Sequence, residues 1–156
     1  MYRKIKNPWL DKEGYNCIGC APNNPIGLHM EFHVDGEDVI GIWKPEQNYQ
    51  GWIDVLHGGI QSLMMDEVGG WFVGYHKGVN AVTKELNVKF LKTVSTRWEK
   101  IEVRAKKISE ERADIIVHMD LINPDGEICA TADATYFMNP RQLRNESLRI
   151  KYELEN

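Results

Sequence analysis

The chain has 156 residues, a hydrophobic fraction of 42% and a formal net charge of -4, which predict one globular domain and provide no general basic field for nucleic acid. No apolar run approaches the roughly 18 residues of a membrane-spanning helix, and the N-terminus lacks the apolar stretch of a signal peptide. The odd number of three cysteines argues against a disulfide framework, so we expect a soluble cytoplasmic protein with neither membrane nor nucleic-acid partners.

Residues 1–26 are rich in Pro, Asn and Gly, which predicts an N-terminal arm of irregular backbone. Strict alternation of apolar and polar residues over 28–34 predicts a strand, and a turn at 35–38 leads to a second strand over 39–44. After His57 the apolar period changes from two to about 3.6, which predicts a helix that ends near Gly74 or Gly78. Four more strands are predicted, over 81–91, 97–108, 113–122 and 128–138.

The short connections between these strands favour an antiparallel sheet. The helix has a single broad apolar stripe, made of Ile60, Leu63, Met64, Val68, Trp71, Phe72 and Tyr75. One helix covers a face of about six strands only if the sheet curls around it. The predicted fold is therefore α+β, a curved antiparallel sheet of about six strands around one long central helix. This domain spans 27–139, between the arm and a charged C-terminal tail at 140–156.

The opposite face of the helix is unusual because it carries small residues instead of a solvated set of charges. Its members are Gly59, Ser62, Asp66, Gly69, Gly70 and Val73. Small residues allow another backbone to approach closely, and the sheet already covers the apolar stripe. A second subunit is the expected neighbour, and a symmetric dimer is the simplest form of that contact. Asp66 is then expected at a subunit junction.

The start of the helix has a feature of its own in Gly58 and Gly59. Unpaired N–H groups and the helix dipole favour a ligand oxygen at that point, and glycine leaves them accessible. A donor cluster and a carboxylate on one helix face can support attack on a carbonyl. The residues alone are equally consistent with Asp66 as an interface residue and with glycines that serve packing only.

Several sequence motifs resemble the hotdog-fold acyl-CoA thioesterase superfamily, in particular its PaaI-like and THEM-type branch. The matching residues are Leu56-His57-Gly58-Gly59, Met65-Asp66-Glu67, Cys17-Ile18-Gly19-Cys20, Asn24-Pro25-Ile26-Gly27-Leu28, Tyr49-Gln50-Gly51-Trp52 and Val82-Thr83-Lys84-Glu85-Leu86. The resemblance implies a homodimer or a homotetramer built as a dimer of dimers, with active sites at the dimer interface. It also implies hydrolysis of an acyl-CoA thioester to free acid and CoA.

The resemblance assigns roles to individual residues. Asp66 would be the nucleophile or the general base, and the Gly59 N–H would polarise the thioester carbonyl as an oxyanion donor. His57 would shape the site, and Thr83 would contribute its hydroxyl from the partner subunit. The expected substrate-binding residues are Gly58, Ser62 and Glu67.

Two other functions remain open within the same resemblance. A non-catalytic acyl-CoA binding module would keep Gly58 and Gly59 but would not need Asp66. Hotdog hydratases acting on enoyl-CoA use an Asp with a following His on the helix, and here no His follows Asp66 until His76. Glu67, at the edge of the apolar stripe, is expected to pair with a cation or to act as a second functional acid.

Cys17 and Cys20 form a single C-x-x-C motif. A structural zinc site needs four ligands and the sequence has no second pair, so no metal is expected, although His29 and His33 could be recruited. The resemblance requires no metal or redox cofactor. A redox function of the pair lacks a βαβ context. His57 has no G-x-S-x-G serine to activate, which disfavours a hydrolase triad.

Overall fold

One antiparallel sheet of seven strands and one long helix make up the fold in a computed structural model that describes residues 1–156. The strands are β1 (Arg3–Lys4), β2 (Glu31–Asp35), β3 (Asp38–Trp43), β4 (Ala81–Phe90), β5 (Ile101–Glu111), β6 (Asp114–Ile122) and β7 (Ile128–Met138). The helices are α1 (Gly58–Lys77) and α2 (Pro140–Arg144), with 3-10 turns at Gln47–Tyr49 and Glu146–Leu148. The sheet order is β1-β2-β3-β5-β6-β7-β4, and α1 packs against β3 to β7. The predicted α+β fold is confirmed.

The sheet has one more strand than the six predicted, because the N-terminal arm contributes β1. The Ile5 N–H donates to the Phe32 carbonyl at 2.8 Å, and Ile5 is 2% exposed. The predicted first strand starts three residues later, at Glu31. His29 has a φ of 54°, a left-handed backbone that interrupts extended structure before that point. β5 also starts later than predicted, at Ile101.

Both ends of α1 are capped by its own sequence. At the N-terminus the His57 Nδ1 accepts the Gly59 N–H at 2.8 Å. At the C-terminus Gly78 has a φ of 66°, which glycine adopts without strain, and its N–H donates to the Gly74 carbonyl at 2.7 Å. Lys77 lies in the last turn, where a positive charge complements the helix dipole.

The apolar stripe of α1 faces the core as predicted. Met64, Val68, Trp71 and Phe72 are buried, and Ile60, Leu63 and Tyr75 are partly buried and pack against the same core. The predicted stripe omits Met65 and Val73, which are 0% exposed. The sheet therefore covers a wider arc of the helix than the predicted stripe.

The small residues of α1 make room partly for this chain's own tyrosines. A Cβ at Gly69 would overlap the Tyr136 hydroxyl, and one at Gly74 would overlap the Tyr152 hydroxyl. Only Gly70 has no atom within 4 Å of the place where its Cβ would lie. The expectation that this whole face is open to a second subunit is therefore wrong, and the support for a dimer must come from elsewhere.

The outer edge of the sheet at β4 is a second surface on which another subunit could pack. β4 pairs with β7 on one side and with no strand on the other. Val82 and Phe90 on this strand are 65% and 53% exposed. At the opposite edge, the C-terminal tail joins the arm, since the Lys6 N–H donates to the Glu153 carbonyl at 2.8 Å. No helix has both the length and the apolar character needed to cross a membrane.

Candidate active site

Asp66 lies in the middle of α1 and is held by two hydroxyl groups from the sheet. Thr83 Oγ1 donates to Asp66 Oδ1 at 2.8 Å, and the Tyr136 hydroxyl donates to the same oxygen at 3.1 Å. The Tyr136 hydroxyl also lies 2.9 Å from the Asp66 backbone carbonyl. Asp66 Oδ2 receives no hydrogen bond from the chain. One carboxylate oxygen is thus fixed, while the other is available to a ligand.

The pairing of β4 with β7 explains why these two hydroxyls meet at one acid. Thr83 and Tyr136 are directly opposite each other in the antiparallel register, so their side chains lie on the same face of the sheet. A β-bulge follows Thr83 immediately, between Thr83 and Glu85. Bulges change the direction of neighbouring side chains and are common beside functional sites.

Tyr136 is suited to remain a hydrogen-bond donor. It is 2% exposed, and burial together with the nearby Asp66 carboxylate raises the pKa of its hydroxyl well above the usual range. A neutral phenol keeps its proton and can therefore donate a hydrogen bond to Asp66 Oδ1. Sequence reasoning missed Tyr136, which stands in an alternating apolar strand and resembles an ordinary core residue there.

The position of Thr83 corrects one expectation. Thr83 reaches Asp66 within a single chain, so its hydroxyl does not have to come from a partner subunit. Its catalytic role stays a prediction.

A cavity of about 370 Å³ opens beside Asp66. Its lining includes Asp66, Glu67, Thr83 and Tyr136 from the helix and sheet, together with Cys17 and Cys20 from the N-terminal arm. The first residues of α1 are not part of this lining. The N-terminal arm is therefore one wall of the cavity that contains the candidate catalytic acid.

Glu67 faces the arm and not a positive charge. Cys17 Sγ lies 3.3 Å from Glu67 Oε1 and 3.4 Å from Oε2, and the Trp71 indole N–H donates to Oε1 at 3.2 Å. The expected pairing of Glu67 with a cationic side chain is wrong, because no Lys, Arg or His lies within ion-pair distance of this carboxylate. Burial, followed by the negative charge of Cys17, raises the pKa of Glu67 to about 7.

The two thiols beside Glu67 have very different acidities. Hydrogen bonding from Cys20 lowers the pKa of Cys17 to about 5, and the Gly19 N–H adds a second donor at 3.3 Å. The hydrogen bond to Cys17, together with burial, raises the pKa of Cys20 far above its usual range. The contact between the two thiols thus favours deprotonation of Cys17 over that of Cys20.

The start of α1 offers N–H groups at a different place from Asp66. The Gly59 N–H donates to His57 Nδ1, and the Ser62 hydroxyl donates to the Gly58 carbonyl at 2.8 Å. The Gly58 N–H has no acceptor within the chain, and the Phe90 ring lies against Gly58. Asp66 is seven residues beyond Gly59, about 10 Å along the helix at 1.5 Å per residue. One chain therefore brings Asp66, Thr83 and Glu67 to one cavity, but it leaves His57, Gly58, Gly59 and Ser62 outside it.

Comparisons with known proteins identify similar structures but no similar sequence. No protein-family model and no curated protein matches the chain. A crystal structure of a thioesterase superfamily protein superposes with a TM-score of 0.71 and 21% identity, covering 79% of this chain and 60% of that one.

Two further solved structures have named sources. A thioesterase from Haemophilus influenzae gives a TM-score of 0.65 and 21% identity, over 72% of this chain and 79% of the other. A hypothetical thioesterase protein from Streptococcus pneumoniae, solved with coenzyme A, gives 0.64 and 19% identity over 70% and 85%. The chain therefore shares the fold of these solved structures, the hotdog fold.

Proposed function

We propose that this protein hydrolyses an acyl-CoA thioester to a free acid and CoA, with the Asp66 carboxylate as nucleophile or general base. The observation that carries the proposal is the unequal hydrogen bonding of the two oxygens of this carboxylate. Oδ1 is fixed by Thr83 and Tyr136, and Oδ2 is free beside a cavity. The hotdog fold and the CoA bound to a structural neighbour support the substrate class.

In the general-base form of the reaction, Asp66 Oδ2 accepts a proton from a water molecule as the water oxygen adds to the thioester carbonyl carbon. The tetrahedral intermediate then collapses, the C–S bond breaks, and the CoA thiolate leaves and takes up a proton. In the nucleophilic form, Oδ2 itself adds to the carbonyl carbon, and the C–S bond breaks as the CoA thiolate leaves and takes up a proton. Water then hydrolyses the resulting anhydride, which releases the free acid and restores the Asp66 carboxylate. Thr83 and Tyr136 serve both forms by fixing the carboxylate direction.

An oxyanion donor is needed in either form, and we assign it to the start of α1. The Gly58 N–H has no acceptor, and the Gly59 N–H becomes available if the exposed His57 ring turns away. These donors lie about two turns from Asp66 on the same helix. In a symmetric dimer the helix start of one subunit can lie beside Asp66 of the other.

The unpaired β4 edge supports this homodimer. A long strand with an exposed edge and exposed apolar side chains invites pairing with another chain, and a second copy would cover Val82 and Phe90. Light scattering at working concentrations should therefore give a dimer or a dimer of dimers, and Val82→Glu should shift it towards monomer with loss of activity. A wild-type protein that is strictly monomeric and hydrolyses acyl-CoA would contradict the two-subunit site.

The decisive experiment is a panel of acyl-CoA esters of increasing chain length, with released CoA thiol as the readout. Asp66→Asn should reduce kcat by about 10²- to 10⁴-fold, the usual contribution of a general base. Asp125→Asn is the matched control, because Asp125 is an exposed residue of the β6-β7 turn. If no ester is cleaved while CoA esters still bind, the protein is an acyl-CoA binding module instead.

A further inference from the structure

Three potential metal ligands come together where the N-terminal arm meets α1. Cys17 Sγ, Cys20 Sγ and a carboxylate oxygen of Glu67 all lie within 4.8 Å of one another. We refer to Cys17, Cys20 and Glu67 as the thiol cluster. The sequence gives no reason to expect a metal here, because a lone C-x-x-C motif has only two ligands. Folding supplies the third from a helix that begins about forty residues later in the chain.

The loop that carries the two cysteines is fixed to the segment that precedes β2 and packs against Glu67 of α1. The Leu28 N–H donates to the Ile18 carbonyl at 2.8 Å, and the Met30 N–H donates to the Gly19 carbonyl at 2.9 Å. A Cβ at Gly19 would lie 2.5 Å from Glu67 Cδ, so a side chain at this position would displace Glu67 from its place beside the cysteines. The three ligand atoms are therefore positioned by backbone hydrogen bonds and by close packing, as a binding site requires.

Charge is the second reason to expect a cation. The Glu67 carboxylate is partly buried, and the side-chain donors that face it are the Cys17 thiol and the Trp71 indole. The nearby Tyr15 hydroxyl, 3.0 Å from Cys20 Sγ, supplies no positive charge either. Placing a carboxylate away from water is costly unless a positive charge accompanies it. A divalent ion would supply that charge.

The ligand types and their spacing select the ion. Two thiolates and one carboxylate suit Zn²⁺, which binds sulfur at about 2.3 Å and carboxylate oxygen at about 2.0–2.2 Å. Tetrahedral ligands at those lengths are roughly 3.5–3.8 Å apart, and the separations of 3.3 and 3.4 Å between Cys17 Sγ and Glu67 need little adjustment. We propose that Cys17, Cys20 and Glu67 bind one Zn²⁺ ion, whose fourth coordination position faces the cavity beside Asp66.

The test is a direct measurement of metal binding by tag-free, fully reduced protein. Zn²⁺ titrated in competition with a chromophoric chelator should bind with one-to-one stoichiometry. Co²⁺ in its place should give a thiolate-to-metal charge-transfer band. Cys17→Ser, Cys20→Ser and Glu67→Gln should each weaken Zn²⁺ binding at least about 100-fold, because each removes a ligand from a site with only three.

Cys129→Ser is the matched control, since Cys129 is buried but outside the thiol cluster, and it should bind Zn²⁺ like wild type. Zn²⁺ should also raise the Tm of wild type and of Cys129→Ser but not that of the ligand variants, which shows in the same experiment that these variants fold. Reduced wild type that binds no Zn²⁺, or a Cys129→Ser variant that loses binding equally, would overturn the proposal.

The zinc proposal does not depend on thioester hydrolysis. Asp66→Asn should lose hydrolysis and still bind Zn²⁺ with the wild-type stoichiometry. Zinc binding by a protein that cleaves no acyl-CoA would contradict the proposed function alone, and hydrolysis by a protein that binds no zinc would contradict the metal site alone.

Discussion

Asp66 and Glu67 are consecutive acids that line one cavity, yet their surroundings are opposite. Asp66 is held from the sheet side by Thr83 and Tyr136 through a single oxygen. Glu67 is contacted from the arm side by a thiol at both oxygens. Neighbouring residues on a helix point about 100° apart, so one step along the chain moves an acid from the sheet to the arm.

The difference teaches that adjacent acids need not share a function. Hydroxyl donors fix the direction of the Asp66 carboxylate and leave one oxygen free, which suits proton transfer. Thiols beside a buried carboxylate offer soft ligands and negative charge, which suits a cation. Each glycine that permits these contacts gives a way to disturb one acid and spare the other.

The largest stability effect is expected at Gly69. Gly69→Ala places a methyl group where the Tyr136 hydroxyl lies, in a fully packed position, and overpacking of this kind costs about 1–3 kcal/mol. Gly70→Ala has open space and should gain up to about 1 kcal/mol in helix propensity. Urea unfolding of the two variants measures the contrast.

Gly69→Ala should also lower acyl-CoA hydrolysis by displacing Tyr136 from Asp66, while Zn²⁺ binding at the thiol cluster should persist. Equal stabilities for the two alanine variants would mean that Tyr136 does not pack on Gly69 as described.

A smaller effect is expected from removing the hydroxyls that hold Asp66. Tyr136→Phe keeps the ring in the core and removes one hydrogen bond, at a cost of about 1 kcal/mol in stability. It should lower kcat by about tenfold, since the remaining Thr83 hydroxyl holds the carboxylate less firmly. Thr83→Val should act similarly, whereas Thr83→Ser retains the hydroxyl and should recover most of the activity. An inactive Thr83→Ser beside an active Thr83→Val would contradict the assigned hydrogen bond.

Much of the fold could be predicted because its signals are local. Alternation located the six longer strands and the change of period located α1, within a few residues at each end. β1 was missed because two paired residues, Arg3 and Lys4, are too short to show any alternation. The predicted stripe on α1 omitted Met65 and Val73 because the extent of sheet curvature determines which arc of a helix is covered.

The site was predicted less completely because its contacts join distant parts of the chain. Tyr136 is seventy residues from Asp66, and the β4-β7 register that pairs it with Thr83 leaves no mark in the sequence of either strand. The contact of Cys17 with Glu67 depends on how a non-periodic arm folds back over the helix. Gly19, between the cysteines, was the only local sign of a close contact. The sequence does not show that the partner in this contact is the Glu67 side chain.

The smallest predicted effect concerns a charged cluster away from both Asp66 and Glu67. Its titration contributes to the pH dependence of stability in any study of these two acids. His118 lies between Asp133 and Asp120, at 2.6 and 2.9 Å. Burial acts to lower the pKa of His118, but the hydrogen bonds to Asp133 and Asp120 outweigh it and raise the pKa. A raised folded-state pKa stabilises the protein fully below the unfolded value, and this stability is lost as pH rises through the folded value.

The free energy of unfolding of wild type should therefore exceed that of His118→Asn by more at about pH 6 than at about pH 9. Because the pair is partly exposed, the change should be only about 0.2–1 kcal/mol. Urea unfolding at both pH values measures it, and Asp125→Asn serves as a surface control with no pH-dependent difference from this cluster. A wild-type advantage that is the same at both pH values would show that His118 gains nothing from its charge.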